Sequence, residues 1–281
     1  MEQNSKIRQY RIGEYAKYMG VTPDFLKHYE QYHLVTSVTR ESGYRYYPFN
    51  QAIQILECMR LRNYGITLKD MEVILNHDDF PTVQEKLNSQ IEVLERKIQF
   101  EQAVIEEHRW FSNWMERMKD KTEDWCIVDC EEMLFLPHSN RYDFIKDERI
   151  YTILNDWVSW MPMVKSCMEA RKWKEENERL RFSEWDYSWG LLVSQAFAAK
   201  HQIPVTDVVS RLPARKMFLY NFIASKINSQ QELHTDSSHL ALNKMRQLGL
   251  TPTGNLYKVI FMYTHTNSSP EQYGMIAIPI D

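Results

Sequence analysis

Six of the eight tryptophans lie between Trp125 and Trp189. Trp157 and Trp160 are three apart, so on a helix they share a face. Trp185, Tyr187 and Trp189 alternate, so on a strand they point to one side of a sheet. With Tyr220, Tyr263 and Met275 they form a set that could line a pocket for a planar ligand, by stacking and cation–π contact. The same aromatics could equally be the core of their domain. Cys126 and Cys130 are the only close pair of thiols; on a strand they stand roughly 13 Å apart, too far to chelate one ion. No His or third Cys is near them, so no metal site is expected. The chain has no Gly-rich phosphate loop, HExxH or GxSxG, so no catalytic residues and no cofactor are expected.

A second set lies near the N-terminus: Thr22, Lys27, His28, Tyr29, Arg40, Tyr44 and Arg45. Lys and Arg suit phosphate oxygens, while His and Tyr can hydrogen-bond to phosphate or pack on a thymine methyl group. Net charge is −4, and residues 1–76 hold ten Lys/Arg against eight Asp/Glu. A nucleic-acid partner would therefore be held by a few placed cations, not by a bulk field.

The elements that must position these residues follow from caps and periodicity. Residues 12–19 form a short amphipathic stretch ending at Gly20. Thr22 then offers an N-cap with Pro23 behind it, so a second helix carries residues 27–29. Two short helices joined by a tight turn match a helix-turn-helix, whose second helix faces the major groove. Residues 34–47 read as two strands around Ser42-Gly43, a hairpin in the position of a wing. A helix is expected from about Phe49 to Tyr64, and another after the Thr67 cap, ending near Asn76.

From Thr82 to Lys119 there is neither Gly nor Pro. Leu87, Ile91, Leu94, Ile98, Ile105 and Met115 recur at heptad-like spacings along a helix of roughly 50 Å. A lone helix of that length would leave its apolar stripe in water, so pairing with a second chain is expected. Further on, strand-like runs are expected at Cys126–Phe135, Tyr187–Ser194, Lys216–Ala224, Tyr257–Thr264 and Tyr273–Ile280. Helices are expected at about Ile150–Lys172, Val205–Val209 and Ser237–Gln247, with no internal repeat. This is an α+β texture around an antiparallel sheet. Hydrophobic residues make up 43% of the chain and charged residues 26%, as in globular proteins. Without an apolar span or a secretory h-region, and with four scattered cysteines, a cytoplasmic protein with reduced thiols is expected.

The blocks Tyr10-Arg11-Ile12-Gly13-Glu14, Lys27-His28-Tyr29-Glu30, Arg40 with Gly43-Tyr44-Arg45-Tyr46-Tyr47, and Tyr64-Gly65-Ile66-Thr67-Leu68 stand in the order and spacing of the MerR family of transcription regulators, which residues 10–76 resemble. Where the family has an Arg and a Tyr, this chain has Lys27 and His28; a Gly common before the wing is His33. The C-terminal part resembles the GyrI-like effector-binding domain of the multidrug-responsive branch, through Leu212-Pro213-Ala214-Arg215-Lys216, Leu248-Gly249-Leu250 and the closing Ile278-Pro279-Ile280.

The resemblance implies a winged helix-turn-helix over 1–78, a dimerisation coiled-coil helix over 79–120 and a GyrI-like sensor domain over 121–281. It implies a homodimer that twists and bends promoter double-stranded DNA when a small, aromatic or drug-like ligand binds, so that RNA polymerase can engage. Drug-sensing GyrI-like domains carry a glutamate on the final strand; the matching position is Met275, which weakens the case for a cationic ligand. Asp186 or Glu184 could substitute. The alternatives are a GyrI-like hydrolase tethered to DNA, using a carboxylate and a tyrosine, and a DNA binder with no ligand response.

Overall fold

A computed structural model describes residues 7–281 except 42, 122, 142, 173–174, 177–178, 181–185, 226–231 and 266–269. The chain divides into two compact units, residues 1–99 and 100–281, with the boundary inside one long helix.

In the first unit, β1 (Gln9–Arg11) leads into α1 (Ile12–Met19), and α2 (Pro23–Gln31) follows. Gly20 closes α1 at φ 68°, a left-handed conformation that glycine adopts without penalty. Thr22 caps α2, its Oγ1 accepting from Phe25 N at 3.1 Å. The wing is β2 (Val38–Thr39) and β3 (Arg45–Pro48); β1 pairs with the far side of β3, giving an antiparallel sheet of order β1-β3-β2. Nothing in the sequence had marked β1 as a strand. Then come α3 (Gln51–Asn63) and α4 (Leu68–Asn76), the latter capped by Thr67, whose Oγ1 accepts from Asp70 N at 3.2 Å. Tyr15, Leu26, Tyr29, Leu34, Tyr47, Ile55, Leu61 and Met71 are buried together in the core of this unit.

The long helix α5 (Phe80–Met118) has 39 residues, about 58 Å at 1.5 Å per residue. Of its heptad positions, Ile91, Leu94, Ile98, Ile105 and Met115 are exposed in the single chain.

The second unit contains β4 (Glu123–Cys130), β5 (Met133–Pro137), the short pair β6 (Ser139–Asn140) and β7 (Asp143–Phe144), α6 (Glu148–Val158), β8 (Lys165–Lys172), the short pair β9 (Glu175–Glu176) and β10 (Arg179–Leu180), β11 (Asp186–Ser194), α7 (Gln195–Lys200), β12 (Ser210–Leu212), β13 (Arg215–Ser225), α8 (Glu232–Gln247), β14 (Leu256–His265) and β15 (Pro270–Pro279). Eight strands form one antiparallel sheet in the order β12-β5-β11-β8-β14-β15-β13-β4. The antiparallel sheet is as expected, but the order holds a repeat that the sequence concealed. The runs β5-α6-β8-β11 and β13-α8-β14-β15 have the same connectivity and meet at the central β8–β14 pair. Their leading strands are exchanged: β4 pairs with β13, and β12 with β5.

The chain departs from three expectations. The helix expected over Ile150–Lys172 is α6 followed, after Pro162, by the central strand β8. Its helix formers are overridden because β8 pairs on both sides, with β11 and β14. The single run at Cys126–Phe135 is two strands, β4 and β5. The short helix expected at Val205–Val209 is instead α7, earlier in the chain.

Alternation assigns the two faces. Tyr187, Leu191, Val193, Phe218, Tyr220, Phe222, Ile276 and Ile278 point to the side covered by α6 and α8. Phe135, Cys167, Leu192, Met217, Tyr257, Val259 and Ala277 point to the opposite face. The end of α5 covers part of that opposite face, where Trp114 meets Phe261 and Tyr273 edge-on. Among the described residues, no helix is long and apolar enough to cross a membrane.

Candidate functional site

The first unit presents cations arranged by aromatic faces. On α2, Lys27 and His28 are exposed; Lys27 Nζ lies 3.0 Å from Asp24 Oδ1, and His28 stands edge-on to Tyr32. On the wing, the Arg40 guanidinium lies 4.0 Å above the Tyr46 ring and donates to Gln9 Oε1 at 3.1 Å. Tyr44 is exposed, with Arg11 5.1 Å from its ring centre. Arg45 Nε lies 3.4 Å from Glu30 Oε2, which ties the wing to α2. Such contacts hold a flexible cation in one direction without neutralising it fully.

Thr22, Lys27, His28, Arg40, Tyr44 and Arg45 are thus at the surface of α2 or the wing, Thr22 also serving as the α2 cap. Tyr29 is not with them. Its ring is 3% exposed and stacks on Phe25 at 3.9 Å, so it belongs mainly to the core. Burial pushes its phenol up from the ordinary range. Sequence reasoning missed Arg8, just before β1, and Arg11, its last residue; Arg8 lies 5.2 Å over Tyr10, and Arg11 Nε donates to Tyr46 Oη at 3.3 Å. The signal was the pair of arginines on either side of Tyr10 in Arg8-Gln9-Tyr10-Arg11.

In the second unit the aromatic set is dispersed. Trp157 fills the core under α6 and donates to the Pro204 carbonyl at 2.9 Å. Trp160, beyond the end of α6, packs against Phe100, Phe197 and His201. Tyr187 and Tyr220 are buried on the helix-covered face, and Tyr220 donates to Glu123. Trp185 and Glu184 lie outside the described residues. Trp189 and Tyr263 do come together, on a cleft of about 430 Å³ that also takes Glu107, His108 and Phe111 from α5. Lys165 lines that cleft, paired with Glu107 and 5.0 Å from the Trp110 ring.

Met275 lines a different cavity, about 290 Å³, on the face opposite α6 and α8. Its walls include Cys130, Met133, Leu192, Met217, Val259 and Ala277, and Arg215, Glu131, Asn255 and Tyr257 supply the polar groups. Behind Tyr257 sits a carboxylate that the sequence reading did not find. Glu169, on β8, is 7% exposed. Its Oε1 accepts from Asn255 at 2.9 Å and from the Tyr257 hydroxyl at 3.3 Å, while Arg171 donates to Oε2 at 3.1 Å. Arg171 also reaches Asp186 at 3.1 Å, so Asp186 joins this cluster. Burial drives the Tyr257 hydroxyl well above its ordinary range, so it stays a donor. Glu169 thus accepts from Tyr257 on one oxygen and from Arg171 on the other, which holds the carboxylate in place.

Cys126 and Cys130 share one face of β4, and burial raises both thiols above their usual range. Among the described residues no group of three or more His, Cys, Asp or Glu could hold a metal ion.

No curated protein matches the chain in sequence. Among solved structures, it is similar to the cryo-EM structure of the EcmrR-DNA complex in EcmrR-RPo, at 14% identity and a TM-score of 0.36, over 97% of this chain and 99% of that one. It is similar to HiNmlR, a MerR family regulator lacking the sensor domain, bound to promoter DNA, at 16% identity and a TM-score of 0.32, over 40% of this chain and 96% of that one. A hydrolase from Listeria innocua is similar at 12% identity and a TM-score of 0.33, over 60% of this chain and 98% of that one. The family model for MerR HTH family regulatory proteins matches residues 10–78. That match spans α1, α2, the wing, α3 and α4, so the N-terminal part of the chain is a MerR-family helix-turn-helix domain.

Proposed function

We propose that the protein is a homodimeric transcription regulator. It holds promoter DNA through α2 and the wing, and it responds to a small molecule bound by its C-terminal unit. The observation that carries the reading is the set of exposed cations Lys27, Arg40 and Arg45, with Arg8 and Arg11 beside them, on a helix-turn-helix of the MerR family. Phosphates fix the position of such a domain, and the exposed His28 and Tyr44 are placed for bases or backbone.

The exposed stripe Ile91, Leu94, Ile98 and Ile105 supports pairing of α5 with a second copy, which would hold two DNA-binding lobes at a fixed spacing. With that spacing fixed, a change in the sensor can reach RNA polymerase through the shape of the promoter. In this reading the effector binds in the cavity beside Met275; the apolar wall, which suits an aromatic or hydrophobic molecule, supports it. An effector acts by binding one state of the dimer better than the other.

Fluorescence anisotropy of labelled double-stranded DNA tests the reading. Lys27→Ala and Arg40→Ala should each weaken binding and make the dependence of log affinity on log salt shallower, by about one phosphate contact per variant. Unchanged affinity and slope in the double variant would remove α2 and the wing from the interface.

A further inference from the structure

We propose that the cavity beside Met275 takes a small carboxylate with an apolar body, anchored by Arg215. The proposal rests on reading that cavity as the effector site and names the chemistry of its occupant.

The volume of about 290 Å³ is at the lower end of small-molecule pockets, enough for one ring and a short chain. Met133, Met217 and Met275 make much of the wall, and thioethers adapt to irregular apolar bodies. Charge is the deciding feature. A cation entering here would need a carboxylate, and the buried one nearby, Glu169, already accepts from Arg171, Asn255 and Tyr257. Glu131 is also in the lining but is exposed, so water screens it. A buried cation without a partner is costly.

Arg215 is the opposite case. It is half-buried, its Nη2 donates to Thr253 Oγ1 at 2.6 Å, and it forms no ion pair among the described residues. A guanidinium has five donors, and their fork fits a carboxylate bidentately. Gly254 keeps the space beside it open: a Cβ there would stand 3.3 Å from Arg215 Nη1 and 2.9 Å from Pro279 Cγ. The site therefore offers an apolar chamber with a cation at one end.

Calorimetric titration of the full chain with 4-phenylbutyrate, 4-phenylbutanol and 4-phenylbutylamine compares one body with three head groups. The acid should bind roughly tenfold or more tighter than the alcohol and the amine. Arg215→Gln should bring the acid down to the level of the alcohol without weakening the alcohol. Ala277→Trp, which fills the chamber, should abolish binding of both, and the milder change Met275→Phe should weaken both. Equal or better binding of the amine or alcohol, an acid preference that survives Arg215→Gln, or no binding of the acid at millimolar concentration would overturn the carboxylate assignment. Binding that neither Ala277→Trp nor Met275→Phe alters would instead overturn the placement of the effector in this cavity.

Discussion

The indole N–H of Trp114, near the end of α5, donates a 2.9 Å hydrogen bond to Asn221 Oδ1 on β13, and each residue is only 2% exposed. This is a buried polar contact between residues 107 positions apart, and it fixes the end of the long helix on the sheet of the second unit. Removing one partner strands the other. Asn221→Leu should therefore destabilise this unit by about 1–3 kcal/mol. All eight tryptophans lie at position 110 or later, so tryptophan fluorescence during urea unfolding reads this unit selectively. A midpoint equal to wild type would mean that the bond contributes nothing net.

His33 sits at φ 53°, in the left-handed region, at the turn between α2 and the wing. A side chain is strained there, whereas glycine is not. His33→Gly should stabilise the first unit by about 0.5–1 kcal/mol. The gain should appear in the far-ultraviolet circular dichroism transition and leave the tryptophan transition in place. A loss of stability would show that the imidazole makes a compensating contact.

These two cases show what could be read in the sequence and what could not. The first unit was legible because its signals are local: Gly20 ends α1, Thr22 and Thr67 cap α2 and α4, and Gly43 turns the wing. Tyr29 misled because a tyrosine on the second helix of such a motif can face either the groove or the core. In the second unit, Lys165–Lys172 carries Met, Glu, Ala, Arg and two Lys, good helix formers, and only its two neighbouring strands make it β. Placing it on a helix hid Glu169, whose side chain reaches Asn255, Tyr257 and Arg171 only in strand register. The repeat was hidden because it lies in strand order, not in residue identity.

The Glu123 carboxylate is held below its ordinary range, first by the hydrogen bond from Tyr220 and then by Lys244. A carboxyl depressed on folding contributes stability that is complete above its unfolded value and is lost as pH falls through the folded one. Glu123→Gln should therefore flatten the decline in stability below about pH 4.5. Identical acid-unfolding curves for the two proteins would contradict this.

Pairing through α5 makes a direct prediction. Ile98 is 68% exposed in the single chain and lies in the middle of the heptad stripe. Ile98→Asp should shift sedimentation from dimer to monomer at micromolar concentration, because a buried seam cannot accommodate two facing carboxylates. A wild-type chain that sediments as a monomer would refute the pairing outright.

The most direct test of the central claim is selection from a random double-stranded DNA library by the full chain. The account predicts enrichment of an inverted repeat whose half-sites face two copies of α2, and weaker enrichment of the same motif by the Lys27→Ala, Arg40→Ala variant, because phosphate contacts add affinity without reading sequence. A selected pool with no sequence beyond the starting library, or enrichment by the double variant as strong as by the wild type, would contradict it.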